Sequence, residues 1–186
     1  MNKVATFFYK KSTLITSLLI TVITFAYIYF VLIDAAKGFE VANSTSKTLG
    51  LSFGFSYDQV HEFFSIRTNE MIASYKALNN VWDSLFAILY GLMYVFWLSL
   101  LFKPYQNTYK FINLLPLGQV FFDWLENSKL SEFSNSYLVG QPISSIDVQV
   151  ASVFVMIKWS ITLLVFIAII LGLLLRVRDI VNKKVK

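Results

Sequence analysis

The sequence predicts an all-α integral membrane protein: a four-helix transmembrane bundle with a helical extracytoplasmic loop. Three observations predict it. Hydrophobic residues make up 56% of the 186 and charged residues only 15%, where a soluble domain carries about a quarter charged. The apolar residues gather into four stretches of about the 20 residues that a helix needs to cross the hydrocarbon core. The basic residues gather beside the ends of those stretches, as they do on the cytoplasmic side of inner-membrane proteins. The length leaves room for one membrane domain over 1–186, and Phe 18, Tyr 10 and Trp 4 supply rings suited to lipid contact and interface belts.

The net charge of +5 does not point to nucleic acid. Lys3, Lys10, Lys11, Arg176, Arg178, Lys183, Lys184 and Lys186 lie near the two ends, next to apolar stretches, which is the positive-inside pattern. The absence of cysteine excludes disulfides, thiolate metal sites and thiol redox chemistry. A single histidine, His61, excludes a histidine-rich metal centre, and no metal or cofactor is expected.

In chain order, residues 1–12 read as a short basic leader. The first span, about 13–33, is longer than the apolar region of a signal peptide and is expected to stay in the membrane as a helix. Thr13, Ser17, Thr21 and Thr24 share one of its faces and should meet another helix. An extracytoplasmic loop follows over 34–83, turn-rich around Gly50, Ser52, Gly54 and Ser56. Within it Ser56 predicts the cap of an amphipathic helix over Tyr57–Ile66, with Val60, Phe63 and Phe64 on the apolar side and His61 on the solvated one. Thr68 predicts a second N-cap, with Glu70 favourably placed in the first turn, and a helical pattern can continue from there into the second span.

The second span, about 84–102, stops at Lys103-Pro104. Asp83, Ala87, Tyr90, Gly91 and Tyr94 share a face, where Gly91 permits close helix approach and the tyrosines bring hydroxyls into the bundle. The third span, about 111–130, has Pro116 near its start, where proline is tolerated. Leu130–Val148 reads as a polar loop, and the fourth span, about 149–175, is apolar but for Lys158 and Thr162. Counting Lys and Arg beside the spans puts both termini in the cytoplasm of a multi-pass inner-membrane protein.

The third span carries the chemistry. Gln119, Asp123, Glu126 and Asn127 recur at helical spacing on one face, and an ionisable residue at membrane depth is by default a functional-site hypothesis with a partner to be named. At about 1.5 Å of rise per residue, Asp123 lies roughly 20 Å and Glu126 roughly 24 Å above the cytoplasmic anchor Lys110. Lys158, Asp83 and Asp34 come out roughly 27, 30 and 34 Å above their own anchors. The charges therefore cluster in the outer half of a core about 30 Å thick. A pair of Lys158 with Asp123 or Glu126 is expected, in a polar cluster of Asp83, Tyr90, Tyr94, Gln119, Asp123, Glu126, Asn127 and Lys158.

The residues that carry this pattern also resemble those of a broad family of small, uncharacterised bacterial four-helix membrane proteins with an intramembrane Asp-x-x-Glu-Asn motif. The matching positions are Phe53-Gly54-Phe55 before the loop helix, Tyr75, Asp83, Pro116, Asp123, Glu126, Asn127 and Lys158. Where that family commonly carries Gly-Arg before the tyrosine, this chain has Met71-Ile72. The resemblance implies the four-span architecture and the polar site, and no reaction.

Two roles compete for the cluster. It ties helices together, or it lines a cavity that binds a lipid headgroup, moves a proton or performs acid–base chemistry. The sequence favours a non-enzymatic accessory or binding protein whose partners are membrane lipids and another membrane protein or a second copy of the chain. A membrane-embedded enzyme or proton-coupled transporter component using Asp123, Glu126 and Lys158 is one alternative. An immunity protein against a pore-forming bacteriocin is another, by analogy of architecture alone. Neither a nucleophile elbow, a phosphate loop nor a metal-ligand set occurs in the chain.

Overall fold

The computed structural model describes residues 3–41 and 48–184, without the side chains of Lys183 and Lys184. Lys47 and Lys186, and the charges of Lys183 and Lys184, which entered the orientation argument, lie outside the described side chains. Among the described residues six helices make up the fold: α1 (Lys3–Lys11), α2 (Leu14–Lys37), α3 (Tyr57–Ser65), α4 (Asn69–Tyr105), α5 (Leu115–Leu138) and α6 (Ser145–Lys184). Among the described residues three helices, α2, α4 and α6, are long and apolar enough to cross a membrane, with mean hydropathies of 2.2, 2.2 and 2.6 over their most apolar windows. α5 has the length but carries Asp123, Glu126, Lys129 and Glu132.

The elements begin where the local chemistry directs. Thr13 caps α2 through a reciprocal box with Thr16, and Ser56 caps α3 through the same device with Gln59. Thr68 accepts from the Met71 amide at the start of α4, and Pro116 occupies the first turn of α5, where its missing N–H costs nothing. The expected faces are the ones used. Trp97 of α4 donates to the Thr21 hydroxyl at 2.9 Å, and Ser17 and Thr24 are buried on the same side of α2. Gly91 lets α4 approach α5 so closely that a β-carbon there would collide with Val120.

Several expectations need correction. Residues 3–11 of the leader form a helix, pinned by Tyr9 to the Tyr109 carbonyl at 2.7 Å and by Asn113, which reaches both the Ala5 carbonyl and Ser99. Leu130–Leu138 is helix rather than loop. Leu130 and Phe133 recur on one face of α5 and pack with Phe64, Tyr75 and Val155, so apolar burial outweighs the serines between them. The connection to α6 shrinks to residues 139–144. His61 is half-buried against the Tyr57 ring, 4.3 Å between centroids, and not fully solvated. Asp34 takes no part in the cluster and pairs with Lys37 on the surface at 3.1 Å.

Three apolar cores stack along the bundle. One, around Phe39, Phe63, Phe64, Tyr75 and Phe133, holds α3 against α4, α5 and α6. Another, around Tyr9, Leu98, Phe102 and Val165, closes the end where Ser12, Lys103, Tyr105 and Asp179 meet. Between them Ala87, Tyr90 and Val120 join α4 to α5, and the polar cluster lies beside this middle layer. α2 and α4 each contain a π-helical turn, Ile28–Leu32 and Leu78–Asp83, and the two turns touch. Such turns re-aim side chains and often mark functional sites. Here Ser84 donates to the Asn79 carbonyl at 2.8 Å within the distorted stretch.

Candidate functional site

Three helices and one turn build the polar cluster. α5 supplies Gln119, Asp123, Glu126 and Asn127 from a single face, because steps of four, three and one keep residues within one helical stripe. Lys158 comes from the middle of α6 and Tyr90 from α4, while the 3-10 turn Leu49–Leu51 brings the Gly50 carbonyl. Lys158 Nζ donates to Asp123 Oδ1 at 3.0 Å and to the Gly50 carbonyl at 3.2 Å, and it ion-pairs with Glu126 Oε2. Tyr90 donates to the other Asp123 oxygen at 2.7 Å. Trp159 Nε1 donates to the Gly50 carbonyl as well, at 3.1 Å.

Of the ammonium's three donors two make these hydrogen bonds, and Glu126 holds the ammonium by charge. Asp123 is equally satisfied, one oxygen facing Lys158 and one facing Tyr90. Where one pair of Lys158 with Asp123 or Glu126 was expected, both form and share the lysine. Gly50 is required by space: a β-carbon there would collide with Glu126 Oε1 and lie 3.7 Å from Lys158 Nζ. The loop glycine is thus the point where the chain between α2 and α3 closes down on the charges.

Other members are not satisfied. Glu126 is 1% exposed, and its Oε2 meets the lysine by charge without an aligned hydrogen bond. The Gln119 oxygen and both polar atoms of the Asn127 amide are buried without a hydrogen-bond partner. Asp83 stands within electrostatic reach of Asp123 and Lys158, beside Asn127. Buried polar groups are normally paired, so these atoms are the least satisfied part of the cluster.

Glu126, Gln119 and Asp83 border a partly open cavity of about 300 Å³, lined by α2, α4, α5, α6 and the turn. All the expected residues except Asn127 line it: Asp83, Tyr90, Tyr94, Gln119, Asp123, Glu126 and Lys158. Tyr94 contributes its ring, set edge-on to Phe166 with 5.7 Å between centroids. Much of the remaining wall is apolar, with Phe25, Ile28, Leu78, Phe86 and Met93 among its residues. An apolar chamber of this size with a few convergent polar groups has the make-up of a small-ligand site.

Sequence reasoning offered a cavity as one of two roles for the cluster but missed the parts played by Gly50, Trp159 and Asn79, all of which line it. A glycine beside polar loop residues carries no sign of the carbonyl it presents, and the π-helical turn that brings Asn79 and Asp83 together has no hydropathy signature. Comparison with protein-family models, with curated proteins and with solved structures finds no match for this chain. The fold and site themselves define an all-helical protein with three membrane-length helices around a buried, lysine-centred carboxylate cluster that opens onto a cavity.

Proposed function

We propose that the chain is a multi-pass inner-membrane protein that binds a small amphipathic ligand, a lipid or lipid-like molecule, in the cavity beside Asp123, Glu126 and Lys158. The cavity is the observation that carries the reading, because a purely structural cluster would be dry and packed shut. In this reading α5 is a fourth span. Lys158 offsets its carboxylates, and the remaining helices shield them from lipid. The described termini sit at one end with Lys10, Lys11, Lys103 and Arg176, which supports both lying in the cytoplasm. This architecture accords with the small four-helix bacterial membrane proteins that the motif resembles.

The role is accessory and non-enzymatic. Both Asp123 oxygens are hydrogen-bonded, and Lys158 is held by Asp123, the Gly50 carbonyl and the charge of Glu126, an arrangement suited to holding a shape rather than relaying a proton. Native mass spectrometry of protein released from membranes tests the reading. The wild-type chain should retain an added mass that survives gentle activation, and Met93→Trp, which fills the cavity without altering a charge, should lose it. A bare wild-type chain, or an adduct unaffected by the tryptophan, would refute ligand binding in this cavity.

A further inference from the structure

The cavity has a neighbour. Leu51, Phe53, Trp159, Ser160, Leu163 and Leu164 form an open groove of about 560 Å³ on the outer face of α6. Leu51 and Trp159 border both spaces, so a single layer of side chains separates the polar chamber from a groove on the lipid-exposed side. Leu51, Phe53, Leu163 and Leu164 are exposed and apolar, as a surface for a hydrocarbon chain would be. The turn carrying Leu51 is held by the Gly50 carbonyl, which binds Lys158 and Trp159 together.

The chamber's chemistry selects the other end of the molecule. Among the described residues Asp83, Asp123 and Glu126 face one cation, Lys158, leaving two negative charges when all are ionised. An anionic head would have to take Lys158 from its three acceptors. A donating, cationic head meets the orphaned Gln119 oxygen and Glu126, whose Oε2 is held to Lys158 by charge alone, with the Asp83 carboxylate bordering the same chamber. Gln119, 6% exposed and bordering the chamber, is an unpartnered buried group independent of the acids. Lys158 itself displays the fit, since it is an alkylammonium seated against these carboxylates. Rings from Phe86, Tyr94 and Phe166 complete a wall of the kind that attracts ammonium groups.

We propose that the ligand is an amphiphile with an ammonium head, seated head-first among Glu126, Asp83 and Gln119, with its hydrocarbon tail passing between Leu51 and Trp159 into the groove on α6. The proposal rests on the ligand-binding reading of the cavity and names the class of ligand and its entrance. The turn Leu49–Leu51 is the threshold over which the tail lies.

The test is calorimetric titration of the full chain in phosphatidylcholine nanodiscs, with empty discs subtracted, using dodecylamine, dodecanol and dodecanoate as probes. Dodecylamine should saturate at one per chain and bind at least about tenfold tighter than the other two, the scale of a charge-assisted contact in a buried site. Asp83→Asn and Glu126→Gln should each weaken the amine by a larger factor than they weaken dodecanol. Leu51→Trp, which keeps every charge, should weaken both by blocking the threshold. Equal affinity for dodecanol or dodecanoate, or an amine affinity indifferent to both acid variants, would overturn the ammonium head while leaving an amphiphile site standing. Saturable binding unaffected by Leu51→Trp would overturn the entrance. No saturable binding of any probe would overturn this proposal and count against the cavity reading with it.

Discussion

Replacing Lys158 by methionine keeps the length of the side chain and removes all three of its donors, and the structure shows which groups then suffer. The Gly50 carbonyl keeps Trp159 Nε1 at 3.1 Å, and Asp123 keeps Tyr90 at 2.7 Å. Glu126 keeps nothing aligned: it is 1% exposed and its only described cation is gone. Removing one partner of a buried ion pair typically costs about 3–5 kcal/mol, chiefly through the charge left behind. At about 2–4 °C per kcal/mol for a chain of this size, the melting temperature should fall by about 6–20 °C. Thermal unfolding in detergent, followed by helical circular dichroism, reads this directly. Adding Glu126→Gln removes the stranded charge and should recover at least about half of the loss, because the amide is cheaper to bury than the carboxylate. A Lys158→Met protein melting with the wild type, or a double variant no better than the single one, would refute the argument that this lysine stabilises the bundle by neutralising Glu126.

Two further substitutions probe how the loop and outer core support the site. Gly50→Ala should cost about 1–3 kcal/mol of stability, the usual range for overpacking, because its β-carbon would collide with Glu126; a melt matching the wild type would show that the turn does not press on the cluster. Arg67 lies 3.6 Å over the Phe63 ring and donates to the buried Phe39 carbonyl at 2.9 Å. Burial lowers its pKa from the ordinary 12.5. An arginine nevertheless stays protonated at every pH at which the protein would be handled. Arg67→Met should therefore cost about 1–3 kcal/mol for the stranded carbonyl. The loss should be equal at pH 6 and pH 8; a loss that changes between them would assign the effect to another group.

The local signals proved the most legible part of the fold. Ser56 and Thr68 begin their helices as capping chemistry requires, and Gly91 marks the close approach of α4 to α5. The spacing of Asp123, Glu126 and Asn127, with the depth of Lys158 along α6, was sufficient to predict the ion pairs. Polarity misled where packing outweighed it. The serines of Leu130–Leu138 suggested a loop, but Leu130 and Phe133 are buried in the outer core and draw the segment into helix. Arg67, a charged residue of the loop between the first two spans, is buried because its guanidinium finds two carbonyls and an aromatic face, partners that no sequence pattern displays. The cavity depends on how four helices and a turn meet, which periodicity within any one of them does not specify.

The proposed fourth span requires α5 to cross the membrane despite Asp123 and Glu126, with α4, α6 and the Gly50 turn shielding them and Lys158 neutralising them. The chain has no cysteine, so single cysteines can report the side of the membrane without background. Thr108 precedes α5 and Val139 follows it, and both are exposed. In intact cells a membrane-impermeant maleimide should label Val139→Cys, and should label Thr108→Cys only after permeabilisation. Labelling of both positions from the same side would contradict the claim, since α5 would then not span the membrane.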